Sequence, residues 1–416
     1  MAVIDERATD VDPRPATGTR VALSATVLAT IVLITAIAPL ATDMYVPAFP
    51  LVGVDLDATA TQVQLTLTTF FVGMAMGQLV GGPVSDRIGR RRPLLVALAV
   101  LVVASAWCAL SPTVTAMMVA RLVQGFSGGW AMVIARSVVV DLTGGARMVR
   151  AMNVVAAVAG IAPVVGPLLG ALILELSHWR VSFWVVAALA ALMLVAVAAG
   201  VPESLPSARR HGGGLGRLLG STGQVLRTRL FSGHLVVFAF SMGTTFAYVA
   251  TSAFVLQSMN GLSPVAYSVD FAANAGGMTI AALAAARLAG RVSTRWLVWV
   301  GLVATGAAGA LLLVGAVWFG MPLWVALVGF FVLMTAQGLV GPNAGALASE
   351  AVPDHPGTGS ALLGFLQWCL AGVVAPLAGL GGDRTAVPMA AIVLALTAGS
   401  LLALTLTRTG PRSRAR

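Results

Sequence analysis

The sequence predicts an all-α polytopic membrane protein with twelve transmembrane helices in two six-helix bundles. Composition gives the class: 58% of the 416 residues are hydrophobic and only 10% are charged, whereas a soluble domain carries about 25% charged residues. Twelve apolar runs approach or reach the length of roughly 20 residues that a spanning helix needs. A polar, glycine-rich stretch between Val201 and Leu230 divides these runs six and six.

The predicted spans are separated by short interruptions of charge, proline or glycine. They cover residues 21–45, 62–81, 94–110, 114–136, 152–174, 181–200, 232–256, 266–286, 296–318, 323–347, 358–379 and 387–407. The division of six from six predicts two bundles joined by a linker. We therefore expect an N-terminal tail at 1–20, a bundle at 21–205, a linker at 206–227, a bundle at 228–407 and a basic tail at 408–416.

The distribution of arginine predicts the orientation. All 25 basic residues are arginine, and 22 of them fall in tails, in loops or at a span end on one side of the predicted spans. Arg180 and Arg384 fall on the other side, and Arg121 lies inside a span. Because cytoplasmic loops hold the excess of basic residues, both termini are expected in the cytoplasm. The positive charge is spread over every inner loop, which argues against nucleic-acid binding.

The sequence contains no constellation typical of an enzyme. Its four histidines and two cysteines are scattered and lack metal-ligand spacing, and no glycine-rich phosphate loop follows a strand. We therefore expect no catalytic site, no metal and no cofactor.

A short stretch between the second and third predicted spans combines glycine, acid and arginine. It reads "GGPVSDRIGRRRPLL" at residues 81–95. A glycine lets two helix ends approach, and an acid can accept hydrogen bonds from a helix end or an arginine. An inner loop rich in arginine would explain the basic residues but not the glycine and acid spacing. The stretch predicts a structural or gating motif made by Gly82, Asp86, Arg87, Gly89 and Arg90.

The fifth span carries small residues and prolines on one face. In "GIAPVVGPLLG", Pro163, Gly166, Pro167 and Gly170 recur at intervals of one, three or four residues. Such a face permits close helix packing, while the prolines remove hydrogen bonds and permit bending. A packing role and a gating role are both compatible with this pattern.

These stretches resemble those of a known family. "GGPVSDRIGRRRP" is similar to the signature loop of the major facilitator superfamily, with Val84 where the family has leucine. "RLVQG", which begins at Arg121, resembles a motif of proton-coupled members, and "GIAPVVGPLLG" resembles a motif of drug exporters. The resemblance implies the major facilitator fold. It also implies that the small-residue face of span five lies against a helix of the other half.

Further stretches narrow the resemblance. "LATDMYVPAFP", "FVLQSMNGLSP" and "GPNAGALA" are similar to the Bcr/CflA group of drug:proton antiporters. This resemblance implies a multi-pass protein of the bacterial cytoplasmic membrane. It further implies a monomer whose partners are a small-molecule substrate, protons and the lipid bilayer.

Two charged residues inside predicted spans are candidates for proton coupling. Asp43 is the only acid in span one, and Arg121 lies near the middle of span four. A charge at mid-membrane costs roughly 2.5 to 3.5 kcal/mol, so such a residue faces a cavity and has a partner. We expect Pro39 and Pro47 to bend span one and turn Asp43 toward the cavity, where it would pair with Arg121, although Asp43 could instead lie at the outer rim.

Four other residues are predicted to line the substrate cavity. Gln124 lies three residues beyond Arg121 on the same helical face, and Tyr45 and Tyr248 could supply aromatic walls. Asp270, near the outer end of span eight, is a departure from the resembling group. It could be a second proton or cation site, or an acid of the outer surface.

The function predicted is proton-coupled export of small amphipathic drugs or antibiotics, of amphenicol or bicyclomycin type, by alternating access. Export of an endogenous metabolite or a self-made antibiotic would leave the same motifs. A non-transporting membrane sensor or scaffold is the alternative from another class.

Overall fold

The computed structural model describes residues 24–210, 222–354 and 356–407. Within these ranges, twelve helices are long and apolar enough to cross a membrane. They are α1 (Ala25–Asp43), α2 (Ala60–Ile88), α3 (Arg91–Leu110), α4 (Val114–Leu142), α5 (Gly145–Leu176), α6 (Arg180–Gly200), α7 (Arg229–Ala253), α8 (Pro264–Leu288), α9 (Thr294–Trp318), α10 (Leu323–Glu350), α11 (Pro356–Ala378) and α12 (Val387–Leu406).

The first span is interrupted after Asp43. The chain leaves the α-helix there, forms a 3-10 turn at Val46–Ala48, and continues as a short helix, Phe49–Asp55. Prolines 39, 47 and 50 lie in or beside this break, and each lacks the N–H group that would continue a helical ladder. The apolar segment therefore extends to Asp55, beyond the predicted end at residue 45, and Asp43 lies at an internal break.

The second helix is longer than its apolar run predicts. It begins at a capping box in which Thr59 and Gln62 each accept a hydrogen bond from the other's backbone N–H. It continues through polar residues to Ile88, past the predicted end at residue 81. Gly82, Asp86 and Arg87 therefore belong to the last turns of α2, and the expectation that they lie in a loop is wrong.

The helices pack as two bundles of six. In the first half, α1 packs on α4, α5 and α6, α2 packs on α4, and α3 packs on α4 and α6. In the second half, α7 packs on α10, α11 and α12, α8 packs on α10, and α9 packs on α10 and α12. The halves meet mainly where α2 packs on α11 and α5 on α8. The prediction of twelve helices in two bundles is confirmed.

The predicted domain bounds remain predictions. The tails at 1–20 and 408–416 lie outside the described residues, as does the part of the linker at 211–221.

Large apolar side chains cover the outside of the bundles. Val103, Trp318 and Phe319 are 67%, 69% and 69% exposed, respectively. A water-soluble protein rarely exposes large apolar patches. This surface fits a bilayer, as the composition predicts.

Candidate transport site

Asp43 is buried at the break in the first span. It is the last residue of α1 and is 5% exposed. Its Cβ lies against α5, because a Cβ built on Gly166 would be 2.8 Å from it. Among the described residues, none donates a hydrogen bond to the Asp43 carboxylate or forms an ion pair with it. The structure therefore places a carboxylate without a counterion between α1 and α5.

Arg121 of α4 is fully buried and held by polar and aromatic contacts. Its Nη1 donates to Ala41 O at 3.1 Å and to Gln124 Oε1 at 2.8 Å. The guanidinium carbon lies 4.3 Å from the ring centroid of Phe70 and 5.0 Å from that of Tyr45. These contacts are a hydrogen-bonded and cation–π environment for a buried cation.

Arg121 and Asp43 do not form the predicted pair. No ion pair joins them in the described part of the chain, and Arg121 instead binds the carbonyl oxygen of Ala41. The break explains this partner, because the N–H of Tyr45 turns to Thr42 O at 3.1 Å and leaves the carbonyl of Ala41 without a helical donor. Arg121 therefore stabilises the end of α1 and not its carboxylate.

Gln124 links Arg121 to α3. Its Oε1 accepts from Arg121, and its Nε2 donates to Ser105 Oγ at 2.9 Å. Both Gln124 and Ser105 are fully buried. This arrangement orients the guanidinium, while the cavity role expected of Gln124 stays a prediction.

Tyr45 connects the break in the first span to α2 through a hydrogen bond. Its hydroxyl lies 3.0 Å from Thr66 Oγ1 and donates to it, since Thr66 itself donates to Val63 O at 2.6 Å. The Tyr45 ring packs on Phe49 and Phe183 with centroid distances of 4.9 and 5.1 Å. Its predicted role as a cavity wall is not tested by these contacts.

In the second bundle, Tyr248 and Asp270 share one partner. Asn274 Nδ2 donates to the Tyr248 hydroxyl at 2.9 Å and to Asp270 Oδ2 at 2.8 Å. Tyr267 lies beside them, because its ring packs on Phe271 at 6.0 Å between centroids, and its hydroxyl lies 2.9 Å from Ser252 Oγ. Asn274 and Tyr267 were missed by the sequence analysis, although an amide four residues after an acid on one helix is a visible signal.

Glutamine amides bridge the two bundles. Gln64 Nε2 donates to Ala250 O at 3.1 Å, and Gln257 Nε2 donates to Pro47 O at 3.0 Å. Both bonds lie at the membrane end where the first span, α2 and α7 meet. We call this end, defined by Gln64 and Gln257, the bridged end. Sequence reasoning missed both glutamines, whose signal is an amide within an apolar run.

The small-residue face of α5 packs on α1. A Cβ on Gly170 would collide with the backbone of Met44, whose carbonyl carbon would lie 3.0 Å away. Gly166 contacts Asp43 in the same way, and Pro167 between them is buried, whereas Pro163 is half-buried. The expectation that the glycines of this face lie against the other half is therefore wrong. They let the broken end of α1 approach α5 closely.

Arg90 is the centre of a charged network at the far end of the first bundle. Its Nε donates to Asp141 Oδ2 at 3.0 Å, and its Nη1 lies 2.6 Å from Asp86 Oδ1. Its backbone N–H donates to Glu203 Oε1 at 2.8 Å. The network joins α2, α4 and the segment after α6. Glu203 was missed by the sequence analysis.

The required glycine in this network is Gly89. Its backbone φ of +101° is one that residues with a side chain rarely adopt. A Cβ at this position would also lie 2.9 Å from the carboxyl carbon of Glu203. A Cβ on Gly82 would meet nothing within 4 Å, so of these two glycines it is Gly89 that permits a close approach. Arg87 is exposed.

Two packed helical bundles of six spans with a buried guanidinium and carboxylate define the class as a polytopic membrane transporter. The chain belongs to the Major Facilitator Superfamily, whose family profile matches residues 31–376.

Three curated relatives cover most of the chain. The "Uncharacterized MFS-type transporter YdgK" of Bacillus subtilis (strain 168) is 34% identical over 85% of this chain and 88% of its own length. The "Bicyclomycin resistance protein homolog" of Haemophilus influenzae is 26% identical over 86% of this chain and 90% of its own length. "Multidrug resistance protein D" of Escherichia coli (strain K12) is 28% identical, with 84% and 87% covered.

Solved structures share the fold. A bacterial homolog of the human lysosomal transporter Spinster superposes with a TM-score of 0.71 at 15% identity, covering 93% of this chain and 98% of its own. A D-xylose-proton symporter superposes with a TM-score of 0.70 at 16% identity, with 92% and 96% covered. At these identities the likeness shows the fold alone.

Proposed function

We propose that this protein is a proton-coupled exporter of small amphipathic drugs or antibiotics, of the Bcr/CflA group, that works by alternating access between its two bundles. The names of two relatives, a bicyclomycin resistance homolog and a multidrug resistance protein, support a resistance function. The proposal places it in the bacterial cytoplasmic membrane as a monomer. The arginine distribution supports cytoplasmic termini, which makes the bridged end extracellular.

The buried carboxylate of Asp43, which has no counterion among the described residues, is the main support for this proposal. A carboxylate buried without a counterion is costly in its charged form, and a proton removes that cost. Asp43 also lies where α1 breaks and where α5 packs closely against it. Gaining or losing a proton there therefore changes the stability of the α1–α5 contact, which links proton binding to helix position.

Aromatic side chains between the bundles support an amphipathic substrate. Phe71 of α2 packs on Phe246 of α7 and Trp368 of α11, with centroid distances of 4.5 and 5.6 Å. Such walls bind the apolar faces of small ligands, while a few polar groups give orientation. When the bundles separate, these rings become the lining of the cleft.

The proton gradient is sufficient for uphill export. One proton that moves inward across 100 mV releases about 2.3 kcal/mol, and a tenfold concentration ratio requires about 1.4 kcal/mol. One proton per neutral substrate therefore sustains a ratio of some tens.

The substitution Asp43→Asn tests the coupling role. We expect proteoliposomes with this variant to lose accumulation of chloramphenicol against its gradient under an imposed proton gradient, because the amide cannot carry the coupled proton. The matched control is Asp383→Asn, the same change at an exposed loop residue, and it should transport like the native protein. Uphill accumulation by Asp43→Asn at the native rate would show that Asp43 is not the coupling site.

A further inference from the structure

The second bundle contains a polar cluster with unused hydrogen-bond acceptors. Asn274 is fully buried, and its Nδ2 is shared between the Tyr248 hydroxyl and Asp270 Oδ2. Its Oδ1 is buried and has no hydrogen-bond partner. A buried amide oxygen without a partner leaves a desolvation penalty of about 1 to 3 kcal/mol uncompensated. The cluster thus presents this oxygen and the carboxylate of Asp270 side by side.

Asp270 is an anionic group without a protein cation. It is partly exposed, and among the described residues its only side-chain partner is Asn274. Among the described residues, no arginine forms an ion pair with this carboxylate. Because Asp270 is partly exposed, a ligand can reach its carboxylate from outside the cluster. The buried Asn274 Oδ1 beside it stays shielded from water.

Aromatic rings enclose the same cluster. Tyr248 packs on Phe271 at 5.3 Å and on Phe330 at 5.1 Å between centroids, and Tyr267 packs on Phe271 at 6.0 Å. The rings come from α7, α8 and α10. Faces of aromatic rings attract cations and exclude water from an adjoining charge pair.

We propose that Asp270, Asn274 and Tyr248 form a recognition site for the protonated primary amine of a substrate. One N–H of the ammonium group donates to the Asp270 carboxylate and another to Asn274 Oδ1, while its hydrocarbon part lies on the rings of Tyr248 and Phe271. Such a site selects amphipathic amines as the substrate class. This inference rests on the proposed export function.

An ammonium group fits this site better than a proton or a metal ion. A proton on Asp270 would neutralise the carboxylate but leave Asn274 Oδ1 without a donor. Metal sites in proteins use several charged ligands, and the described residues include no group of three or more acidic, histidine or cysteine side chains placed to hold one. A primary ammonium carries several donors and one positive charge, which matches one carboxylate and one adjacent acceptor.

A matched pair of probes tests the site: chloramphenicol, a neutral amide, and the primary amine that remains when its acyl group is removed. Binding of each to the purified full-length protein is measured by quenching of tryptophan fluorescence. Asp270→Asn should weaken binding of the amine about tenfold, the loss expected for a charge-assisted hydrogen bond, and change chloramphenicol binding little. Asn274→Leu, which removes the unpaired oxygen, should also weaken binding of the amine selectively. Asp383→Asn should change neither.

Size-exclusion profiles and chloramphenicol binding show whether each variant is folded. Failure of the native protein to bind the amine, or equal losses for both probes, would overturn the proposal. So would amine binding that is unchanged in both Asp270→Asn and Asn274→Leu. Each of these outcomes leaves the coupling test at Asp43 unaffected, so the substrate class can fail while the export function stands.

Discussion

At the residue scale, Arg121 shows how a membrane helix holds a buried cation without a carboxylate. Insertion of an arginine near mid-membrane costs roughly 2.5 to 3.5 kcal/mol. Here part of the cost is offset by the Ala41 carbonyl and Gln124, which accept from Nη1, and by the ring of Phe70 at 4.3 Å, while Nε and Nη2 have no hydrogen-bond partner. Each contact uses the planar, delocalised guanidinium, which stacks on rings and donates in fixed directions.

The substitution Arg121→Lys keeps the charge and removes this geometry. A lysine ammonium is compact and strongly hydrated, so it cannot stack on Phe70 while it reaches Ala41 O. We expect uphill efflux to fall about tenfold, the effect of losing roughly 1.4 kcal/mol, in cells with unchanged membrane abundance. The exposed Arg92→Lys serves as the control. Equal efflux by the two variants would mean that the charge of Arg121 suffices.

At the scale of elements, the broken first span and the glycine face of α5 form one unit. The prolines end α1 at Asp43, and Gly166 and Gly170 let α5 approach that end. Small residues allow such backbone contact in membranes, where packing takes the place of the hydrophobic effect between helices. This contact places the Asp43 carboxylate at a helix break that packs on a second helix, and not within a continuous helix.

Two glycines of α5 allow a matched comparison. At Gly170 an added Cβ collides with Met44, whereas at Gly160 it meets nothing within 4 Å. We expect Gly170→Ala to lower stability by about 1 to 3 kcal/mol through overpacking. Gly160→Ala should raise it by up to about 1 kcal/mol because alanine favours the helix. Thermal unfolding midpoints in detergent measure both, and a shift in the same direction would contradict this packing.

At the scale of the whole molecule, the sequence predicts the spans and bundles well because the bilayer imposes a strong constraint. Every spanning segment needs a long apolar run, so counting such runs finds all twelve helices. Helix ends are predicted less well, as α2 shows. Its last turns pass through Ser85, Asp86 and Arg87, which continue the helix in the polar region where hydropathy no longer identifies it.

The candidate site is less visible in the sequence because its partners are distant in the chain. Asp43 and Arg121 stand out as charges in apolar runs, but the backbone partner of Arg121 depends on where α1 breaks. Glu203 reaches Arg90 across 113 positions, and Asn274 becomes notable only once Tyr248 is known to adjoin it. Residue types identify the candidate residues, whereas tertiary packing determines which of them form contacts.

We propose that outward movement of substrate is exchanged for inward movement of protons through Asp43. The most direct measurement follows the luminal pH of proteoliposomes that are loaded with chloramphenicol and diluted into drug-free medium, with the membrane potential clamped and no pH gradient imposed. Exchange predicts that the lumen acidifies as the drug leaves, that a protonophore abolishes the change, and that Asp43→Asn shows none. Protein-dependent drug release at constant luminal pH would contradict the account.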